Sequence, residues 1–225
     1  MTQVLARLAK LDACAASDAL DSIGQPGAIT TLQRLSVRQR VVGRVQTVQL
    51  VPAGTTESKR HLCTAAVDAS DDETVLVVSN DGRTDAASWG GVLSTGAVAR
   101  GVRGVIVNGA ARDVDEAIEA QLPVWAKAAT PVTARGRYVE SEWAVPVMVD
   151  GVDVHPGDFV VADGSGVVFI PAARIDEVLD AATRIVAKEA EMANRAAAGV
   201  PMTEVMGASY ESLLSGADAK ENTSE

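Results

Sequence analysis

Residues 89–113 read WGGVLSTGAVARGVRGVIVNGAARD, and the changes of residue type along this stretch decide the fold class. Gly90 and Gly91 are followed by small and apolar residues that predict a helix over 92–100. Gly101 and Gly104 then bracket a turn. The run GVIV at 104–107 is uncharged and β-branched, as expected of a strand covered on both faces. It ends in Asn108 and Gly109, and Arg112 and Asp113 then precede a second predicted helix over 114–120. Just upstream, TVLVVS at 74–79 has the same buried-strand character and runs into the turn residues Asn80, Asp81 and Gly82. Strand, helix, strand, helix with short links is an α/β pattern.

Toward the N-terminus, Val4, Leu5, Leu8 and Leu11 recur at helical spacing, so a helix is predicted over 4–16, continued by Ser17 to Leu20. Gly24, Pro26 and Gly27 end it. Val42, Val45, Val48 and Leu50 alternate with polar neighbours and predict a strand over 41–51, and residues 61–67 suit a short helix. Pro123, Val124 and Trp125 begin a further short strand. Beyond residue 145 the pattern becomes strands and tight turns, at 145–149, 151–154, 159–162 and 166–170. Pro156 and Gly157 suit a type II turn, because proline fixes φ and glycine accepts a positive φ. Pro171 opens the last long helix, whose apolar stripe is Ile175, Val178, Leu179, Ala182, Ile185 and Val186. Another helix is expected over 202–214. With no internal repeat or linker, residues 1–215 read as one domain and the polar residues 216–225 as a disordered tail.

Composition limits the function. Hydrophobic residues make up 47% of the 225, but aromatics only 3%, so Val, Ala, Leu and Ile must build the core. Thirty acidic against twenty basic residues give a net charge of -10, which repels a phosphate backbone and argues against nucleic acid as a partner. The richest basic stretch, 34–44, reads as loop and strand. Cys14 and Cys63 form no CxxC motif, so both are expected to be buried free thiols in a reducing cytoplasm. The first ten residues lack a signal-peptide profile, and no apolar run approaches the roughly 20 residues that span a bilayer. The expectation is a cytoplasmic protein with no membrane partner.

Ligands favour the ends of buried strands in α/β folds, and Arg112 and Asp113 stand at such an end. Arginine offers a planar fork that matches a carboxylate in two hydrogen bonds, and aspartate offers hard oxygen donors of the kind Mg²⁺ or Mn²⁺ prefers. Gly90 and Gly91 form a second candidate, since bare backbone at a helix N-terminus admits an anion. His61 and His155 lie far apart with no metal-ligand spacing. Ser165 lacks the flanking pattern of a nucleophile elbow. Lys59, Lys127 and Lys188 are lysines capable of Schiff-base chemistry, and nothing in the pattern marks any of them as buried.

Taken in order, Trp89-Gly90-Gly91-Val92-Leu93, Ala97, Gly101, and the run from Gly104 through Asn108 and Gly109 to Arg112-Asp113 resemble the signature of the RraA-like family. That family includes the 4-hydroxy-4-methyl-2-oxoglutarate aldolases. The similarity also takes in Ser17-Asp18-Ala19-Leu20-Asp21, Leu122-Pro123-Val124 and Val154-His155-Pro156-Gly157-Asp158, and spans about residues 11–199. The resemblance implies a mixed α/β domain with a central β-layered core flanked by helices, assembled as a homotrimer or homohexamer with sites between subunits. It implies a lyase acting on a 2-oxo acid, releasing pyruvate by retro-aldol cleavage or decarboxylating oxaloacetate through an enolate. Gly90, Gly91, Val92, Leu93 and Arg112 would bind substrate, Arg112 and Asp113 would be catalytic, and Asp113 would hold Mg²⁺ or Mn²⁺. Glu189 of a neighbouring subunit would also approach the metal. The alternative within the family is a non-catalytic regulator that binds a ribonuclease. Three positions depart from the aldolase pattern: Gly91 and Ser165 stand where an acid is common, and Asn108 where Asp is frequent.

Overall fold

The computed structural model of the chain describes residues 2–57 and 60–207. Lys59, the predicted tail and the second half of the helix expected over 202–214 lie outside the described residues.

The N-terminal apolar pattern forms two helices rather than one, α1 (Gln3–Leu8) and α2 (Ala13–Ser22). The break has an electrostatic cause. Asp12 turns its carboxylate onto the Ala15 N–H at 2.8 Å and Asp163 accepts the Ala13 N–H at 3.0 Å, so two acids cap a new helix start. Two short strands follow, β1 (Ala28–Ile29) and β2 (Gln33–Arg34), then the long β3 (Val41–Pro52). The central segment runs α3 (Thr64–Asp68), β4 (Thr74–Ser79), β5 (Ala87–Trp89), α4 (Gly91–Ala99), β6 (Gly104–Ala111), α5 (Val114–Glu119) and β7 (Val124–Ala129). The remaining strands are β8 (Tyr138–Trp143), β9 (Val147–Val149), β10 (Val152–Val154), β11 (Phe159–Ala162) and β12 (Val167–Ile170). A single 3₁₀ turn (Ala172–Arg174) leads into α6 (Ile175–Ala197), and α7 (Met202–Val205) ends the described chain.

The main sheet has the order β1-β12-β11-β3-β4-β6-β7-β2, with β5 added to β6 and β8 to β3. The centre, β3-β4-β6-β7, is parallel, and β1, β2, β8, β11 and β12 pair antiparallel. This is a mixed α/β fold. β4 and β6 are buried along their whole lengths, as their uncharged sequences require. On one face α3, α4 and α5 bring Val67, Leu93, Ala97 and Ala117 against Leu76, Val78, Val105 and Val107. The helices α1, α2 and α6 pack around β11 and β12, where Leu5, Leu8, Leu20, Val178 and Leu179 meet Val161 and Ile170. The stripe expected on the last helix is the face it buries. The hairpin β9–β10 pairs separately, closed by Asp150 and Gly151, both at positive φ as a type I′ turn demands. Gly157 has φ +92° and the Asp158 N–H donates to the His155 carbonyl at 3.1 Å, which fits the predicted type II turn.

Four strands escape the sequence pattern, the two-residue β1 and β2 together with β5 and β8, and one is longer than expected. β6 continues four residues past Val107, because Ala110 and Ala111 pair with β5 on one side and β7 on the other. Asn108 and Gly109 therefore mark an irregularity within the strand. A Cβ on Gly109 would lie 3.0 Å from the Arg83 carbonyl and 3.0 Å from Ser88 Oγ, so glycine is what lets the neighbouring loop close over it.

Candidate functional site

The extended β6 delivers Arg112 and Asp113 at the C-terminal end of a central parallel strand. The Arg112 N–H donates to the Trp89 carbonyl at 2.9 Å, which ties the end of β6 to the last residue of β5, just ahead of the glycines that begin α4. Asp113 has φ +56°, an unusual conformation for a residue with a side chain. That conformation turns its carboxylate back across the start of α4. Oδ2 accepts the Gly91 N–H at 2.8 Å, and Oδ1 accepts from Arg112 Nε at 3.0 Å. Gly90, at the N-cap position, has no side chain to cap the helix, and Asp113 does this from 22 residues away. Chiefly through the Gly91 hydrogen bond, and further through Arg112, the Asp113 carboxyl is held below its ordinary value of 3.8.

These residues frame a cavity of about 280 Å³, small enough to suit a short-chain metabolite. Gly90, Gly91, Val92, Leu93, Arg112 and Asp113, all singled out in the sequence, line it together. The Val92 and Leu93 N–H groups have no backbone acceptor among the described residues, so two donors of the α4 N-terminus remain for a ligand. The lack of side chains at the helix start is spatial as well. A Cβ on Gly90 would lie 2.9 Å from Asp113 Oδ2 and 3.1 Å from Arg112 Cγ.

The other candidates lie elsewhere or have other duties. Glu189 sits on α6 near Asp18 and Asp12, away from its own chain's cavity; burial, then those two acids, raise its carboxyl above 4.5. Lys127 is paired with Asp150 at 2.5 Å, and Lys188 also has an interaction partner. Ser165 is exposed in the turn between β11 and β12, its N–H donating to Asp163 Oδ1 at 2.8 Å. Cys63 is buried as expected, and burial, then Glu140, push its thiol well above the ordinary 9.0. Cys14 is exposed, contrary to expectation, because α2 buries Ala13, Ala15, Ala16, Ala19 and Leu20 and leaves position 14 outward.

His155 is exposed and 3.0 Å from Asp153 Oδ2, and that hydrogen bond raises its pKa above 6.5. A folded-state value above the unfolded one adds stability below about pH 6.5 that is lost as pH rises through the raised value; at this surface the amount is small. The chain has two histidines, so proton NMR titration is simple to read. The His155 ring is expected to titrate above 6.5, and Asp153→Asn to bring it back toward that value.

Sequence reasoning missed the remaining cavity lining. His61 and Leu62 enter from the turn before α3, and Thr133, Ala134 and Arg135 from the loop after β7. Pro131 and Gly136 bound that loop and give its only local signal. The buried Glu140 supports the first of these turns, accepting the Cys63 N–H at 2.7 Å with Arg60 Nε 3.5 Å away. Among the described residues no group of three His, Cys, Asp or Glu side chains stands ready to hold a metal ion, and no helix there is long and apolar enough to cross a membrane. A Mg²⁺ ion often needs only one or two protein carboxylates, with water and substrate oxygens completing its shell. Asp113, partly exposed to the cavity, meets that sparse requirement.

The site is thus an arginine and an aspartate held side by side at the end of a central parallel strand, facing the N-terminus of a helix across a small cavity. Residues 13–169 match the family described as RraA-like: Aldolase/RraA, and the chain belongs to that family. It is 29% identical over 180 residues to protein DlpA of Legionella pneumophila, covering 80% of this chain and 29% of DlpA. It is 34% identical over 134 residues to the 4-hydroxy-4-methyl-2-oxoglutarate aldolase of Thermus thermophilus, covering 60% of this chain and 77% of the aldolase. The solved structure of Streptomyces coelicolor RraAS2, described as an unusual member of the RNase ES inhibitor RraA protein family, superposes with a TM-score of 0.80 at 25% identity. That match covers 87% of this chain and 98% of RraAS2. The chain thus spans less than a third of DlpA but most of the other two.

Proposed function

We propose that the chain is a divalent-metal-dependent carbon–carbon lyase acting on a 2-oxo acid, by retro-aldol cleavage of a 4-hydroxy-2-oxo acid, by decarboxylation of oxaloacetate, or by both. The observation that carries this reading is the Arg112–Asp113 pair, fixed side by side at the end of β6 and facing the open N-terminus of α4. The Thermus relative's name, an aldolase of 4-hydroxy-4-methyl-2-oxoglutarate, supports the retro-aldol reading.

In this mechanism the guanidinium of Arg112 takes the substrate carboxylate, its Nε already anchored on Asp113 so that the fork is oriented before substrate arrives. The Val92 and Leu93 N–H groups add donors for the same anionic end. Asp113 would hold the cation, Mg²⁺ or Mn²⁺. Bound there, the cation supplies Lewis-acid stabilisation of the negative charge that collects on the keto oxygen as the C3–C4 bond breaks. The electron pair of that bond stays with the pyruvate fragment, and a proton from solvent then returns to C3. The 4-hydroxyl proton passes to solvent in retro-aldol cleavage, and carbon dioxide leaves in decarboxylation. Decarboxylation needs no base for a 4-hydroxyl, so oxaloacetate is the simpler first substrate.

We further propose that the protein is a homotrimer or homohexamer in which Glu189 of one subunit approaches the metal of the next. Val92, apolar and 90% exposed at the cavity, supports a subunit contact there.

The test is pyruvate release from oxaloacetate and from 4-hydroxy-4-methyl-2-oxoglutarate, measured against a protein-free control. Release that requires Mg²⁺ or Mn²⁺ and stops with EDTA is expected; release indifferent to chelation contradicts the metal role. The likeness to RraAS2 favours a second reading, a regulator that binds a ribonuclease. Recovery of a ribonuclease with the protein, together with no turnover of any 2-oxo acid, would establish that reading instead.

A further inference from the structure

We propose that Arg135 binds the far carboxylate of a dicarboxylic 2-oxo acid whose near carboxylate lies on Arg112; the near end rests on the lyase reading of the site. Both arginines line the same cavity of about 280 Å³, Arg112 from the end of β6 and Arg135 from the loop after β7. In a chain of net charge -10, the charged and titratable side chains lining this cavity are Arg112, Arg135, His61 and a single acid, Asp113. Asp113 is already engaged by Arg112 and the Gly91 N–H. The arginines outnumber the acids on this lining, so in an otherwise acidic protein the cavity favours an anionic ligand.

Arg135 is available for a ligand. Arg7, Arg83, Arg100 and Arg174 each pair with a carboxylate on the surface, whereas the guanidinium of Arg135 has no partner among the described residues. Its backbone is fixed even so. Ala87 N–H donates to the Val132 carbonyl at 2.9 Å, and the Ala134 carbonyl accepts from Arg137 and Tyr138 at 2.8 and 2.9 Å. The Arg135 N–H donates to Thr133 Oγ1 at 3.2 Å, and Gly136 turns the chain at φ +74°. An unpaired guanidinium presented from a hydrogen-bonded turn can meet a second carboxylate without first ordering its loop.

A matched pair of non-cleavable ligands tests this on the full chain in saturating Mg²⁺. 2-Oxoglutarate and 2-oxopentanoate share the 2-oxo acid end and differ by a carboxylate against a methyl at the other. Calorimetric titration is expected to show 2-oxoglutarate binding about tenfold more tightly to the native protein, the scale of one charge-assisted contact. Arg135→Gln should reduce that ratio to about one by weakening 2-oxoglutarate alone, with no change in melting temperature because residue 135 is exposed. Arg112→Gln should weaken both ligands. A native ratio of one, or a ratio that survives Arg135→Gln, overturns the proposal. If the ratio behaves as expected while oxaloacetate yields no pyruvate, the distal subsite stands and the lyase reading falls. If pyruvate is released while the ratio is indifferent to Arg135, the lyase reading stands and the distal subsite falls.

Discussion

Arg112→Ala should lower kcat/KM for pyruvate release by about 10²- to 10³-fold while leaving the protein folded. The scale follows from the interactions lost. A charge-assisted pair of hydrogen bonds to a carboxylate contributes roughly 1.5–3 kcal/mol, and losing the orientation it imposes raises the barrier further. Every 1.36 kcal/mol of barrier is a factor of about ten. The fold should survive because the Arg112 side chain is 36% exposed, and its pairing with Asp113 contributes at most about 1 kcal/mol at such a surface. Arg112→Lys separates charge from geometry. It restores a cation without the planar fork, so it should recover only a small part of the activity. Steady-state kinetics with a thermal melt of each variant decide the matter, and an alanine variant with unchanged kcat and KM would remove Arg112 from the mechanism.

A single methyl group at Gly90 is expected to cost activity almost as heavily. Gly90 has φ −159°, ordinary extended backbone, so alanine meets no conformational penalty there. It meets a spatial one. The new Cβ would lie 2.9 Å from Asp113 Oδ2, the oxygen that accepts the Gly91 N–H, and 3.1 Å from Arg112 Cγ. Both side chains must shift, and displacement by a fraction of an ångström is enough to spoil a preorganised site. Gly90→Ala should therefore reduce kcat/KM by about 10- to 100-fold. Loss of the cap should cost about 1 kcal/mol, or roughly 2–4 °C in Tm for a chain of this size. Gly96 provides the control. It lies in the same helix, and a Cβ there would make only ordinary contact with Val67 at 3.5 Å. Gly96→Ala should leave activity intact and, if anything, raise Tm. Equal activity in both variants would show that the start of α4 plays no part in the chemistry.

Much of this architecture is legible in the sequence because its central strands are covered on both faces. Burial on two sides leaves an uninterrupted apolar run, and TVLVVS and GVIV carry that mark without ambiguity. β8 escapes notice for the opposite reason. Its sequence YVESEW places Glu140 inside, where the residue holds a backbone N–H instead of packing apolar surface, so the alternation looks polar on both faces. β5 is three residues long, too short for periodicity to register. The break between α1 and α2 depends on Asp163, some 150 residues from the N–H it caps, and no local window contains that information. The site divides in the same way. Arg112, Asp113 and the glycines ahead of α4 are neighbours in a recognisable order, whereas Arg135 and His61 reach the cavity only through the packing of β5, β7 and the turn before α3.

The carboxylate at position 113 has an evolutionary consequence. Because it closes the first turn of α4, a lineage that abandoned catalysis would still be selected to keep an acid there, simply to fold well. Finding aspartate at this position in a relative is therefore weak testimony that the relative is an enzyme. The guanidinium beside it, whose structural duty is slight, is the more informative marker of descent with chemistry intact.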